Sequence, residues 1–384
     1  MQRNNKKIFK YLVPVFLILF LVSYISLQFA SAESTAVHTE QTNTIEPHAA
    51  SEPNYDSHSD VPERVDAGKI IMEHIADAYD WHIATIGHTH ISIPLPVIIY
   101  DQNGMHIFLS SKFHHGHESH DGFALHEGKI VALNSDGSVN EHASFYDISI
   151  TKNVASMMIS VIILLWVMFS VAGHYKRGYK RAPKGLHNLI EMGILFIRDE
   201  IAKPSIGKKY EKFMPYLLTI FFFIFLNNLL GLIPFFPGGA NVTGNIAVTL
   251  VLALFTFIIT SINGNKAYWT HIFLPPGVPK ALWVLLIPIE IIGMLNKPIV
   301  LMIRLFANIT AGHIIILGFF SLIFIFGAMN QSLGLGVSVL SVAFTTFMNF
   351  LELLVAFLQA YVFTLLSALY FGSAVEEHHH EEHH

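Results

Sequence analysis

Two apolar segments, about 282–327 and about 336–372, are each too long to cross a bilayer once by the direct route. A helix rises about 1.5 Å per residue, so some forty residues make ~60 Å, about twice the hydrocarbon thickness. Such segments must tilt strongly, kink or fold back, and Pro288 and Pro298 allow bends in the first. Three shorter apolar runs, about 154–173, 215–236 and 245–262, have the length of ordinary spans. The expected fold is therefore an all-α polytopic membrane protein with about five passes, the last two forming a hairpin of long tilted helices. With 52% hydrophobic and only 13% charged residues, the composition excludes a soluble globular chain. The absence of cysteine excludes disulfides, iron–sulfur clusters and thiolate zinc sites. No phosphate-cradling Gly-rich loop of the Walker type is present, so no nucleotide site is expected in this chain. Neither a cofactor nor a nucleic-acid partner is expected.

The N-terminal 150 residues differ in kind. Arg3, Lys6, Lys7 and Lys10 precede an apolar stretch from Tyr11 to about Phe29, and Ala30-Ser31-Ala32 places small residues before Glu33. This pattern is a signal peptide, residues 1–32, either cleaved or retained as an anchor. Residues 33–150 are polar and hold 14 of the 23 histidines. Residues 33–65 have the composition of a disordered segment. Residues 91–134 predict a small β unit. Two apolar stretches flank Asp-Gln-Asn-Gly at 101–104, and Lys-Ile-Val-Ala-Leu-Asn leads to Asp136-Gly137, both turn signals. The histidine-rich stretch between them, HHGHESHDGFALHE, reads as a loop. The remaining divisions are a membrane domain over 151–374 and an acidic, histidine-rich tail over 375–384.

Basic residues orient the chain. The loop 174–214 carries ten Lys/Arg and the loop 263–281 carries Lys266 and Lys280, whereas 237–244 and 328–335 carry none. The positive-inside rule puts the first two in the cytoplasm. Residues 33–150 are then periplasmic and the tail cytoplasmic, in a bacterial inner membrane, which agrees with the signal peptide. The segment 186–207 is amphipathic enough to lie along the cytoplasmic surface.

Arg304 is the last Lys or Arg, although 80 residues follow it. A cation in hydrocarbon costs a few kcal/mol or more and marks an ion pathway or a counter-charge. Glu290, Lys297 and Arg304 step by seven and share a helix face, with Asn308 about 40° further round. His313 falls on the opposite side from Arg304. In the last segment Ser341, Thr345, Glu352 and Gln359 lie within about 40° of one another and form a polar stripe. Interhelical hydrogen bonding accounts for the Ser and Thr residues, and snorkelling at a helix end accounts for Lys297 as well as a functional role does. Neither explains Arg304 or Glu352. Histidine and a buried carboxylate are groups that relay protons near neutrality. Arginine cannot lose its proton, so Arg304 serves to attract a carboxylate and block a direct leak. Glu352 is the one obvious intramembrane carboxylate to meet it, which makes a carboxylate on another subunit the attractive partner. HHGHESH (114–120) and EEHHHEEHH (376–384) have imidazole donors suited to zinc, copper or nickel, but their spacing is that of flexible, weakly chelating or buffering segments.

The stretch KPIVLMIRLFANITAGHI (297–314) resembles the signature of subunit a of the F-type ATP synthase, in the extended bacterial form that carries a signal peptide and an outer domain. FLELLVAFLQAYVFTLLSALY (350–370) is similar to that family's last helix, and NNLLGLIPFF and GNIAVTL match its earlier spans. The resemblance covers about 150–372. It implies a stator channel that carries protons through two offset half-channels to and from the carboxylates of a c-subunit ring. Arg304 separates the half-channels and forces each ring carboxylate to release its proton. It further implies that Asn308 and Gln359 are polar positions near that arginine. His313 and Glu352 match a paired acid/base position that many bacterial members carry in the reverse order, and Glu290 matches an acidic position on the cytoplasmic access side. Asn245 falls where some members have aspartate, so a titrating role there is not expected. The implied partners are the c ring, b-type peripheral stalk subunits, the other ATP synthase subunits and the lipid bilayer. The competing reading is a stand-alone secondary transporter or channel with Arg304 and Glu352 as an internal pair. That reading calls for inverted repeats, which the sequence does not show. A membrane-anchored metal-binding protein leaves the intramembrane polar pattern unexplained.

Overall fold

The computed structural model describes residues 68, 76–86, 89–126, 128–140, 142–176, 185–233, 236–274 and 278–376. The expected signal peptide, the segment 33–65 and most of the histidine-rich tail lie outside these residues. The described chain forms two compact units. One comprises 154–309 with 353–376, and the other comprises the residues up to 153 with 310–352.

Among the described residues the β part of the second unit holds three small antiparallel sheets. Strands β1 (Asp80–Ile86) and β2 (Thr89–Pro94) pair with each other. Strand β3 (Pro96–Asp101) lies between β4 (Gly104–Leu109) and a two-residue β7 (Tyr146–Asp147), while β5 (Phe123–His126) pairs with β6 (Lys129–Ala132). The hairpin at 101–104 forms as its sequence predicts. The Asp101 carboxylate accepts from the Asn103 and Gly104 amides at 2.8 and 3.1 Å, and Gly104 takes φ +130. Val97 and Ile99 point inward onto Tyr79, Phe113, Phe123 and Ile130, a closed apolar core. Two features depart from the sequence reading. The unit begins earlier, because Asp80–Ile86 is a strand. The histidine-rich stretch is also not all loop: residues 110–116 wind into a 3-10 helix and Phe123–His126 is a strand. Phe113 and Phe123 anchor both pieces in the core, so two buried rings outweigh the polar histidines around them.

Helix α1 (Lys152–Lys176) starts with its first turn fastened to this unit. The Asp77 carboxylate accepts from the Asn153 amide at 2.9 Å and the Thr151 hydroxyl at 2.7 Å, and the Lys152 amide donates to the Ala78 carbonyl at 2.8 Å. An acid at this place satisfies free amide donors and complements the helix dipole.

The first unit is helical. Helix α2 (Leu186–Phe196) runs through a π-helical turn at 197–202 into the short α3 (Lys203–Ile206). After Gly207, at φ +71, comes α4 (Tyr210–Leu232). Helix α5 (Ile246–Asn263) is capped by Asn245, whose side-chain oxygen accepts from the Ala247 amide at 2.9 Å, a structural task for that residue. Asn265 caps α6 (Lys266–Phe273) in the same way. Helices α7 (Trp283–Met329) and α8 (Gln331–Val375) run unbroken for 47 and 45 residues, so neither long segment folds back on itself. Among the described residues five stretches, beginning with 152–175 and ending with 331–375, are long and apolar enough to span a membrane. Buried hydrogen bonds fix α4, α5 and the C-terminal half of α8 in one body. The Tyr216 hydroxyl meets Thr256 at 2.8 Å, Thr256 meets Ser367 at 3.2 Å, and Asn228 donates to the Ala356 carbonyl at 3.1 Å.

Candidate functional site

One residue, Asn330, separates α7 from α8. Its side-chain oxygen accepts from the Ser332 amide at 2.8 Å and so caps α8. Within the second unit the two helices close against each other through paired positions. A Cβ on Gly334 would fall 2.6 Å from the Gly327 Cα, so only glycine permits that approach. Phe319 and Phe344 meet with ring centroids 3.9 Å apart. Further along, the Glu352 carboxylate lies over Gly312, where an added Cβ would fall 2.6 Å from Oε1. The contacts step by eight and seven residues along α7, about two helical turns each, and by ten and eight along α8.

Glu352 is the chemically unusual member of this seam. It is only 4% exposed, and both carboxylate oxygens lack a hydrogen-bond partner among the described residues. Buried polar atoms are nearly always paired, so an exception calls for a reason. Ser341, Thr345 and Gln359 are buried too, so the whole stripe legible in the sequence faces inward. Thr345 Oγ1 is also without a partner among the described residues. His313 follows Gly312 directly and is half-buried.

Arg304 and Asn308 belong to the first unit and are exposed on α7. Arg304 makes no hydrogen bond or ion pair among the described residues, and Ile299 and Ile303 are exposed beside it. A charge on such an apolar surface is costly where nothing compensates it. Glu290 and Lys297 are half-buried on the same helix. The Lys297 ammonium lies 5.3 Å from the centre of the Tyr370 ring and 6.0 Å from that of Tyr268, beside a small cavity lined also by Thr256 and Thr260. This aromatic clamp is more than snorkelling, and sequence reasoning missed its two tyrosines. It missed Gly312 as a site residue as well, although the Ala-Gly pair of the motif is the signal that finds it. Among the described residues no group of three His, Asp or Glu side chains gathers as a metal site.

Fold and site residues together define a multi-pass helical membrane protein that ends in two long helices, with a cation exposed on the first and a carboxylate buried on the second. The family model described as ATP synthase A chain matches residues 154–372, more than half of the chain. The chain belongs to that family. A second model, a domain of unknown function designated DUF8433, matches residues 70–150. ATP synthase subunit a of Chloroherpeton thalassium is 48% identical over 242 residues, which are 62% of this chain and 69% of that protein. ATP synthase subunit a 2 of Chlorobaculum tepidum is 51% identical over 236 residues, 60% of this chain and 64% of that protein. For ATP synthase subunit a of Pelodictyon phaeoclathratiforme the identity is 51% over 244 residues, 62% and 68% of the two chains. The stator-subunit reading therefore stands, and the stand-alone transporter reading falls away.

Proposed function

We propose that this chain is the stator channel of a rotary ATP synthase and works with the other subunits of that enzyme. In this reading protons enter and leave through two half-channels, and between them they ride on carboxylates of a c-subunit ring that passes the exposed face of α7. The observation that carries it is Arg304, exposed among isoleucines with no ion pair among the described residues. A permanently charged guanidinium cannot relay a proton, but it strongly favours the ionised form of a carboxylate brought up to it. It thus discharges each arriving ring carboxylate and blocks a direct leak between the half-channels. Asn308 lies one turn further along the same helix and supplies a neutral hydrogen-bonding group to the ring.

Glu352 and His313 are assigned to one half-channel as proton carriers. The buried, unpartnered carboxyl of Glu352 supports this, because a group with no structural bond to keep is free to take up and release a proton. Gln359 continues that stripe toward the arginine, and Glu290 with Lys297 marks the other access path. The domain divisions stand as part of the proposal: an outer accessory region over 33–150, a channel domain over 151–374 and a cytoplasmic tail from 375. The ten basic residues of 174–214 support a periplasmic outer region and b-type stalk subunits on the opposite, cytoplasmic side.

The chain has no cysteine, so one can be placed at will. A cysteine at Ile303 should crosslink to a small two-helix subunit that bears an intramembrane carboxylate. An assembled, active complex that yields no such product overturns the placement of the ring.

A further inference from the structure

The sheet β4-β3-β7 carries apolar residues on both faces. Its inner face closes the core through Val97 and Ile99. Its outer face carries Tyr100, Met105, Ile107, Leu109, Tyr146 and Ile148, with Met105, Ile107 and Tyr146 exposed by 64%, 61% and 68%. The register makes this one surface. Tyr100 stands opposite both Met105 and Tyr146, Ile107 opposite Ile98, and Ile148 donates its amide to the Ile98 carbonyl. A sheet with one face in water puts polar residues on that face, and this one puts Met105, Ile107 and Tyr146 there. Soluble domains rarely leave a contiguous patch of this kind uncovered.

We propose that this face rests in the headgroup and upper acyl zone of the bilayer from which α1 emerges. The first argument is the tether. Ile148 is four residues from Lys152, where the first membrane helix begins, so extended chain allows at most about 14 Å between them. Hydrogen bonds from Thr151, Lys152 and Asn153 to residues 77 and 78 tie the domain to the first residues of α1. The second argument is chemistry. The six side chains include two tyrosines and no charge, the composition that settles at the membrane–water interface. The third is continuity along the chain. The next exposed apolar residues are Met158, Ile162, Trp166 and Phe169, at helical spacing on α1, where the neighbour is lipid. An uncharged surface needs no anionic lipid, so a phosphatidylcholine bilayer suffices.

The test uses the full chain, one copy per phosphatidylcholine nanodisc, with a spin label on Ile107→Cys and, separately, on Met105→Cys. Ser135→Cys, in an exposed turn, is the reference. Both sheet labels should collide with oxygen several times more often than with a water-soluble nickel chelate, and the reference label should show the opposite. Nickel access equal to that of the reference overturns the proposal. Protection that appears only when other ATP synthase subunits are added overturns it in favour of a protein partner. Protection that appears only with two copies per disc overturns it in favour of self-association.

Discussion

Asp77 and Glu352 are two carboxylates drawn in from solvent, one at the junction of the outer region with α1 and one in the seam of the α7–α8 hairpin. Asp77 accepts from the Asn153 and Ala78 amides and from the Thr151 hydroxyl. Two of those bonds tie Asp77 to the chain at 151–153. Glu352 touches Gly312 and has no donor among the described residues. The same functional group is thus a fastening in one region and is left uncommitted in the other. Fully bonded acids hold shape. An acid held in place by packing alone has no such bond to keep, which is what the proposed proton carrier requires. The contrast extends to the surroundings, since the outer region closes a small core around Val97 and Ile99 while the hairpin leaves Arg304 exposed.

The contrast can be broken by experiment. The largest effect belongs to Arg304→Ala, which should reduce ATP synthesis in inverted vesicles to background while the complex still assembles; retained synthesis removes the role given to it. Next, Glu352→Gln and His313→Ala should each lower proton pumping about a hundredfold or more, within the range of lost acid–base catalysis. The exchange that puts histidine at 352 and glutamate at 313 should be milder than either, and equal damage from all three refutes the pairing. Gly312→Ala, which drives a methyl into Oε1 of Glu352, should slow pumping severalfold without loss of the subunit from the membrane. Asp77→Ala should cost about 1–3 kcal/mol of local stability, seen as faster amide exchange around β1 and residues 151–153, with pumping unchanged. Smallest of all, deletion from Glu33 to Asp147 should leave coupling intact. Loss of coupling in a normally assembled complex would show that the outer region takes part in the reaction.

The sequence made the helical half legible because hydrocarbon imposes a length. Spans expected at 154–173 and 245–262 appear as Lys152–Lys176 and Ile246–Asn263. The polar stripe of Ser341, Thr345, Glu352 and Gln359 was readable because helical periodicity puts those residues on one side whatever they touch. What they touch was not readable. Gly312 has no side chain to announce itself, and Tyr268 and Tyr370 reach Lys297 from distant parts of the chain. In the outer region β1 escaped notice because its sequence, Asp-Trp-His-Ile-Ala-Thr-Ile, offers no clean alternation. The strand at Phe123–His126 was hidden by its polar neighbours, and its ladder to β6 is made by backbone atoms that composition does not reveal.

The turn at Asn330 has a mechanical consequence. A connector of several residues acts as a soft spring and lets two helices lag one another under a sideways push. One capped residue, backed by the close crossing of Gly327 and Gly334, leaves no such slack. Force applied to one limb near this end is borne at once by the other. Lengthening the turn by a few glycines would add compliance without changing any titratable group, separating the stiffness of the hairpin from its chemistry.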